Sequence, residues 1–447
     1  MTQRAGRAGR GTGSARPTPL YKRLPHGPHR LGRDEVILHQ RARIHGAMVE
    51  AVAESGYEGT SVKRVVGLAG VSRRSFYEQF ANKEECFLAT FDLIAHRGIQ
   101  QVTQAYLGTD GDLEDRLRAT FEKFAAAANE DRKAALLVLV EAQTVGAAGT
   151  LRVSKATAAC EQMLSKLFIE SPEASALPLP IARGIVGGLH GAVSTLVREG
   201  RSGENPDLAE EMLHWTLLFQ TSAAAQMTER MAARLAKRMR EISRASTHRR
   251  ACTPAPSGDD RERLLYNALR LAALHDYPAL TAPQIADEAN VPIDAFFDHF
   301  ADKDQCYLAA LEMVGDELLA IAADPDLTSS DWPRAVRRVI GELLRHLADR
   351  PLYARTIAQE AFFAGADAVE RNLELAHGIA TLLTVGAPSK AQSSWAIEAV
   401  AGALWHIVRC QVAAGRIQII AALSDYVSYV VLAPFIGADA AMEIVTE

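Results

Sequence analysis

A segment of this chain occurs twice, and the repetition limits what the chain can fold into. Residues Gly56 to Phe87 read GYEGTSVKRVVGLAGVSRRSFYEQFANKEECF, and residues Asp276 to Tyr307 read DYPALTAPQIADEANVPIDAFFDHFADKDQCY. The two align without a gap, Tyr277 and Phe300 falling 220 positions after Tyr57 and Phe80. A second likeness lies downstream, where Gly187-Gly188-Leu189-His190 and Gly200-Arg201 match Gly402-Ala403-Leu404-Trp405 and Gly415-Arg416 at an offset of 215. Two units of roughly 200 residues point to duplication of a whole fold, because solenoid repeats run at about 20 to 50 residues.

From Asp34 onward the apolar spacing is helical nearly to the end. Ile44, Met48, Ala51 and Val52 share one face, as do Phe87, Phe91, Ile94 and Val102. No alternating strand pattern stands out, so the expected fold class is all-α. Breaks are expected near Gly108 to Gly111, Gly146 to Gly149, Ser171 to Pro180 and Gly200 to Pro206. The expected division is a disordered basic arm at 1–33, a first head at 34–90 and a first helical domain at 91–228. A basic helix and linker at 229–259, a second head at 260–307 and a second helical domain at 308–447 complete it.

The net charge of −5 gives no hint of a nucleic-acid partner, but charge is distributed unevenly. Residues 1–33 hold Arg4, Arg7, Arg10, Arg16, Lys22, Arg23, Arg30 and Arg33 and no acid. The five cysteines show no CxxC spacing, which fits a reducing cytosol better than a disulfide or zinc framework. No secretory signal and no membrane-spanning helix is read; Tyr426 to Met442 is apolar but interrupted by Pro434 and Asp439.

The first copy has the parts of a DNA-reading helix-turn-helix. Thr60 and Ser61 can cap a helix whose Val62, Val65 and Val66 face inward. Ala69-Gly70-Val71 is a tight turn in which glycine takes positive φ cheaply. Ser72 caps a short second helix, Arg73 to Tyr77, that packs through Phe76 and Phe80. Arg73, Arg74, Ser75 and Tyr77 point outward, two arginines at the N-terminal end suiting the major groove. Asn82-Lys83-Glu84-Glu85 opens the next helix in the manner of a capping box.

The second copy keeps the inner face and changes the outer one. Val65 becomes Ile285, Phe76 becomes Phe296, and Gly70 becomes Asn290, the next best residue for a left-handed turn. Lys63 becomes Pro283, Arg64 becomes Gln284, Arg73 becomes Ile293, Arg74 becomes Asp294 and Tyr77 becomes Phe297. From 60 to 80 the charges are Lys63, Arg64, Arg73 and Arg74 against Glu78, 4 − 1 = +3. From 280 to 300 they are Asp287, Glu288, Asp294 and Asp298, −4. DNA carries about one negative charge per 1.7 Å of axis and would repel that surface. The second copy is therefore expected to be degenerate, retained for shape.

At GYEGTSV, LAGVSRRSFYEQF and NKEECF the chain resembles the TetR/AcrR family of bacterial transcriptional regulators, over roughly Ile37 to Phe91, and here in tandem. The resemblance implies a three-helix DNA head and about six helices for ligand binding and dimerisation in each unit. It implies that Tyr77 and Lys83 touch phosphate, Thr60 the DNA backbone, and Phe76 the core. The candidate DNA-contact set is Thr60, Ser61, Lys63, Ser72, Arg73, Arg74, Ser75, Tyr77 and Lys83, with Arg30 and Arg33 from the arm. The partners it implies are a double-stranded DNA operator, a small-molecule effector, and an internal pseudo-dimer of the two units and/or a homodimer. The expected location is the cytoplasm, at the nucleoid, and the expected function is a ligand-responsive repressor.

Pairing is expected through Ile181 to Glu199 and Asp207 to Met227 of the first unit, and Ser393 to Ala414 and Ile417 to Phe435 of the second. Gly187, Gly188, Gly191, Gly402 and Ala403 permit close approach. Apolar rows such as Leu113 to Ala128, Ala134 to Val145 and Val336 to Leu347 read first as core, and no pocket residues are assigned. Glu211-x-x-His214 and Glu374-x-x-His377 have the spacing of di-iron bundles. They stand singly in each half at non-equivalent places, so no metal or cofactor is expected, and His190, His214 and His406 read as core or bundle residues. The rival functions are a helical-bundle metalloenzyme and a scaffold that does not bind DNA.

Overall fold

The computed structural model describes residues 33–170, 177–201, 205–219, 224–246, 258–275, 277–388 and 393–447, and among these there is no strand. The all-α expectation holds. The arm, Arg30 included, lies outside the described residues.

The first half contains α1 (Arg33–Gly59), α2 (Val62–Ala69), α3 (Arg73–Tyr77), α4 (Lys83–Gly108), α5 (Leu113–Glu130), α6 (Arg132–Leu139), α7 (Gly146–Glu170), α8 (Leu179–Glu199) and α9 (Leu208–Leu217). Then α10 (Ala224–Ser246) leads to α11 (Asp260–Leu274), α12 (Ala282–Ala289), α13 (Ile293–His299) and α14 (Lys303–Ala322). The chain ends with α15 (Trp332–Asp349), α16 (Pro351–Ala358), α17 (Ala366–Thr384), α18 (Ser394–Ala413), α19 (Ser424–Ile436) and α20 (Ala438–Thr446). Many of these begin where Ser, Thr, Asn or Asp supplies an oxygen to an orphan N–H. Ser61, Ser72, Asn82, Asp112, Thr281, Asp302 and Ser393 all do so.

Three boundaries differ from expectation. The break expected at Gly146 to Gly149 falls earlier, at the 3₁₀ turn Glu141–Thr144, and Gly146 begins α7. Gly149 is needed because a Cβ there would strike the Ala142 carbonyl. The helix expected over Asp207 to Met227 is two, α9 and α10. The stretch from Ile417 is a 3₁₀ segment, Ile417–Leu423, before α19 begins. Ile417–Ile436 is long and apolar enough to cross a membrane, but it is mostly buried inside the protein.

The apolar interior falls into two clusters. One joins Ile44, Met48, Val52, Val65, Phe76, Phe80 and Phe87 of α1–α4 to Leu137, Ala142 and Val153. The other is continuous from Phe121, Ile185 and Trp215 through the whole second half, including Leu264, Phe296 and Tyr307. The first head thus has its own small core, and the second head shares the body's.

The two halves meet most extensively where α8 lies along α18. A Cβ on Gly191 would sit 2.7 Å from the Gly402 Cα, and one on Gly187 would sit 2.8 Å from the Gly402 carbonyl. Only glycine allows backbones this close. The expected fourth helix takes part only through its end. α9 packs mainly on α5, while Phe219 just beyond it stacks edge-on with Tyr429 of α19 at 5.8 Å and its carbonyl accepts from the Tyr429 hydroxyl. α19 also lies against α8. The basic α10 crosses to the second half. Arg234 donates to the carbonyls of Val445 (3.2 Å) and Thr446 (2.6 Å), and Arg238 donates to the Ser424 hydroxyl (3.0 Å). Arginine at carbonyls of the final helix, α20, satisfies acceptors that have no partner within that helix.

Candidate nucleic-acid interface

The first head is built around the α2–α3 turn. Gly70 takes left-handed geometry (φ 62, ψ 40) and closes α2 on the carbonyls of Gly67 and Val66. Arg43 of α1 donates to the carbonyls of Ala69 and Gly70, the latter at 2.7 Å, and fastens the turn to the helix behind. Sequence reasoning missed this arginine, since nothing in its spacing separates it from a solvated one. Ser72 then caps α3, accepting from the Ser75 N–H at 3.0 Å. Phe76 is fully buried and stacks edge-on with Tyr77 at 5.4 Å. Its burial leaves Ser72, Arg73, Arg74 and Tyr77 exposed on one short helix, with Ser61 and Lys63 exposed on α2 and Ser75 half-buried.

The candidate contact residues are not equally available. Arg74 hydrogen-bonds Glu78 one turn on, at 3.0 Å, with both side chains mostly exposed. Arg64 is held by Glu54 of α1. No ion pair to Arg73 or Lys63 occurs among the described residues, so the free positive charge sits at the first turns of α3 and α2. Arg33 opens α1, and its side chain is outside the described residues.

Two candidates turn inward. Thr60 is only 3% exposed, and its hydroxyl donates to the Gly56 carbonyl at 2.7 Å. It closes the end of α1, where Gly56 has φ 66, and presents nothing to a DNA backbone. Lys83 lies over the Tyr57 ring at 4.1 Å and donates to the Tyr57 carbonyl at 2.9 Å. Its ammonium caps a helix end, so a phosphate contact is not its first use.

The second head reproduces this skeleton closely. Asn290 is the one non-glycine residue with positive φ among those described (φ 53, ψ 48), at the place of Gly70. Lys303 lies over Tyr277 and donates to its carbonyl at 3.1 Å, as Lys83 does at Tyr57. Phe296 stacks on Phe297 at 5.4 Å, repeating Phe76 and Tyr77. Even Arg261 over Phe300 repeats Arg41 over Phe80. Where α3 presents Arg73 and Tyr77, α13 presents Ile293, 37% exposed, and Phe297, 55% exposed.

The core of the first head holds one polar pair that the second lacks. The Thr90 hydroxyl donates to the Cys86 carbonyl at 2.7 Å, so its oxygen accepts from His45 Nδ1, also at 2.7 Å. Burial, with Arg41 and Arg97 nearby, pushes the His45 pKa down to about 4. The equivalent positions are Leu265 and Ala310.

Polar contacts join the first head to the body, Lys133 of α6 with Glu50 of α1 among them. The Tyr57 N–H donates to Glu141 at 2.8 Å, and the first N–H of α17, at Ala366, donates to Glu58 at 3.2 Å. Glu58 thus sits at the positive end of a helix from the other half. α17 also walls a cleft of about 350 Å³ between the halves, with Arg198, Glu374, His377, Glu398 and Arg409 on its lining. The apolar rows read first as core are core: Phe121, Val336, Val339 and Leu343 are all buried.

Beside the cleft, Glu161 of α7 meets His406 and Cys410 of α18, three groups with the spacing of metal ligands. Their hydrogen bonding argues for a different use. Arg409 can only donate, so His406 Nδ1 accepts from it at 3.2 Å, and Nε2 carries the proton given to Glu161 at 2.7 Å. Burial opposes charge on Glu161, but the His406 hydrogen bond and the Arg183 guanidinium outweigh it and hold the carboxyl below its usual range. Burial pushes the Cys410 thiol up to about 11. A lone pair is free neither on Nε2 nor, at neutral pH, as thiolate, and two arginines flank the group. Elsewhere, His214 is exposed rather than in the bundle, Glu211 accepts from Asn205, and His377 pairs with Glu398.

The chain is similar to known proteins over part of its length. The chain is 29% identical over 140 residues to the HTH-type transcriptional activator FasR of Mycolicibacterium smegmatis, covering 31% of this chain and 62% of that protein's length. Among solved structures it is similar to the fatty acid degradation regulator FadR from Bacillus halodurans. That match has 21% identity and a TM-score of 0.35, covering 39% of this chain and 96% of that one. A transcriptional regulator from Rhodococcus sp. Rha1 matches at 22% identity and a TM-score of 0.33, covering 40% and 93%. Residues 46–90 and 264–310 each match the family described as bacterial regulatory proteins, tetR family. Both heads of this all-helical chain thus match the tetR family model, two copies in tandem.

Proposed function

We propose that the protein is a sequence-specific DNA-binding transcriptional regulator that reads DNA through the first head alone. The observation that carries this reading is the contrast between two heads of one skeleton. One exposes Arg73, Lys63 and Tyr77, and the other exposes Ile293, Pro283 and Phe297 among acids. Arg73 and Arg74 at the start of α3 suit guanine edges or phosphate in the major groove, while Ser61, Ser72 and Tyr77 offer hydroxyls to phosphate. The α8–α18 contact gives each chain an internal pseudo-dimer. A single chain then reads a half-site, and a palindromic operator takes two chains. The basic arm, with Arg30 and Arg33, adds salt-dependent attraction.

Regulation fits the contacts between the halves. An effector entering the inter-unit cleft moves α17, whose first N–H holds Glu58 of the reading head, and displaces the head from DNA. That sequence is repression relieved by ligand. FasR is named an activator, and a reporter driven by the bound promoter separates the two signs. On this reading the chain works in the cytoplasm as a regulator, not as an enzyme. Genome-wide mapping of bound DNA tests the core of the reading: single half-sites, or palindromes filled by two chains, support it. Equal protection of two half-sites by one chain would refute it.

A further inference from the structure

We propose that the second head is a docking surface for the chain's own N-terminal arm, residues 1–32, held in the absence of DNA. The proposal rests on the reading that this head does not bind DNA. Loss of DNA binding requires only the loss of Arg73, Arg74 and Lys63 equivalents. It does not require an apolar side chain in place of Arg73, nor a bare ring in place of the Tyr77 phenol, yet Ile293 and Phe297 are 37% and 55% exposed on α13. Asp294 and Asp298 flank them one turn apart, both exposed, and no ion pair to either occurs among the described residues. An aromatic face between carboxylates is a surface for arginine, which stacks on the ring and bridges the acid with paired N–H donors. Glu288 by contrast is already held by Arg270.

The arm is the complement. It carries Arg4, Arg7, Arg10, Arg16, Lys22, Arg23 and Arg30 without one acid, and it ends where α1 begins. Fully extended, it spans roughly 105 Å or more at about 3.3 Å per residue, several times the roughly 35 Å between heads that read successive turns. Tethering supplies an effective concentration near the millimolar range, so a weak intrinsic affinity suffices. DNA and the second head then compete for one set of arginines, and the arm engages phosphate only when the first head has brought DNA close.

Zero-length carbodiimide cross-linking of the full chain, read by mass spectrometry, tests the contact without DNA. Lys22 should join Asp294 or Asp298, and an excess of non-specific duplex should abolish the product. Failure of that cross-link in DNA-free protein overturns the proposal whatever the first head does. The functional arm uses Asp294→Asn with Asp298→Asn, in the natural chain and in one with Arg4, Arg7, Arg10 and Arg16 changed to Gln. The asparagines should raise affinity for non-specific duplex about five- to tenfold with the natural arm and clearly less with the depleted arm, which keeps only Lys22, Arg23 and Arg30 of its cations. An equal gain in both backgrounds would mean simple repulsion of DNA. A Phe297→Ala change that alters self-association, and not the cross-link, would mean a second copy occupies the face.

Discussion

Arg73 and Ile293 occupy one position of one short helix, and the energetic contrast between the heads begins there. Arg73→Ala should cost about 1–3 kcal/mol of operator binding, measured by gel shift or anisotropy. Arg74→Ala should cost less, because Glu78 already shares its charge, and Asp294→Ala with Asp298→Ala should not weaken operator binding. Lys83 belongs to a different class. Lys83→Met and Lys303→Met should each lower stability by about 1–3 kcal/mol, as for a hydrogen bond made by a charged group. A Lys303 change that leaves thermal unfolding untouched would return Lys83 to a DNA role. His45 gives the first head an acid limit. Its unfolded form takes up a proton from pH 6.5 downward, and its folded form only near 4. Stability is therefore complete above 6.5 and falls between 6.5 and 4, by about 1.4 kcal/mol per pH unit at most. His45→Leu with Thr90→Ala, the second head's own pair, should flatten that fall in denaturant titrations. These roles were unevenly legible. Caps, the left-handed turn and Phe76 follow from local spacing and could be read directly. The inward turn of Thr60 and Lys83 depends on where α1 ends, and the Glu54 partner of Arg64 lies on another helix.

At the scale of elements, the α8–α18 contact is set by the absence of side chains. The glycines at 187, 191 and 402 were visible in the sequence, but their mutual register was not, because it depends on residues of two units meeting. The same holds for Glu161 with His406, which lie 245 positions apart. Placement of α9 on α5 was also hidden, since an amphipathic helix does not state which neighbour covers it. A Cβ on Gly402 would lie 2.9 Å from the Gly191 Cα and collide with the Gly187 carbonyl. Backbone cannot rotate aside as a side chain can, so the helices must separate along their length. Gly402→Ala should therefore cost about 1–3 kcal/mol, the range for overpacking, and lower the melting temperature of the body. Ala403→Gly, a change that adds no atom, serves as the control for helix propensity. A melting curve indistinguishable from that of the natural chain would show that α8 and α18 do not rely on this approach.

In the whole molecule, duplication has produced two heads of like geometry and unlike attachment. The reading head is enclosed in its own small core and is joined to the body through α6, α7 and the polar contacts of Tyr57 and Glu58. The second head is continuous with the common core through α11 and α14. Free energy of local opening follows shared apolar burial, so the two should differ in how they unfold. The reading head can swing or open while the body stays folded, as a ligand-controlled DNA contact requires. The second head can open only when the body does. Native-state hydrogen exchange checks this directly. Amides in α2 and α4 should exchange through a sub-global opening with protection at least about tenfold, or 1.4 kcal/mol, below that of α12 and α14. Glu58→Gln should lower protection of the first head further and leave the second unchanged. Equal protection in the two heads would mean that the body holds both alike, and the inter-unit cleft would then have no looser element to move.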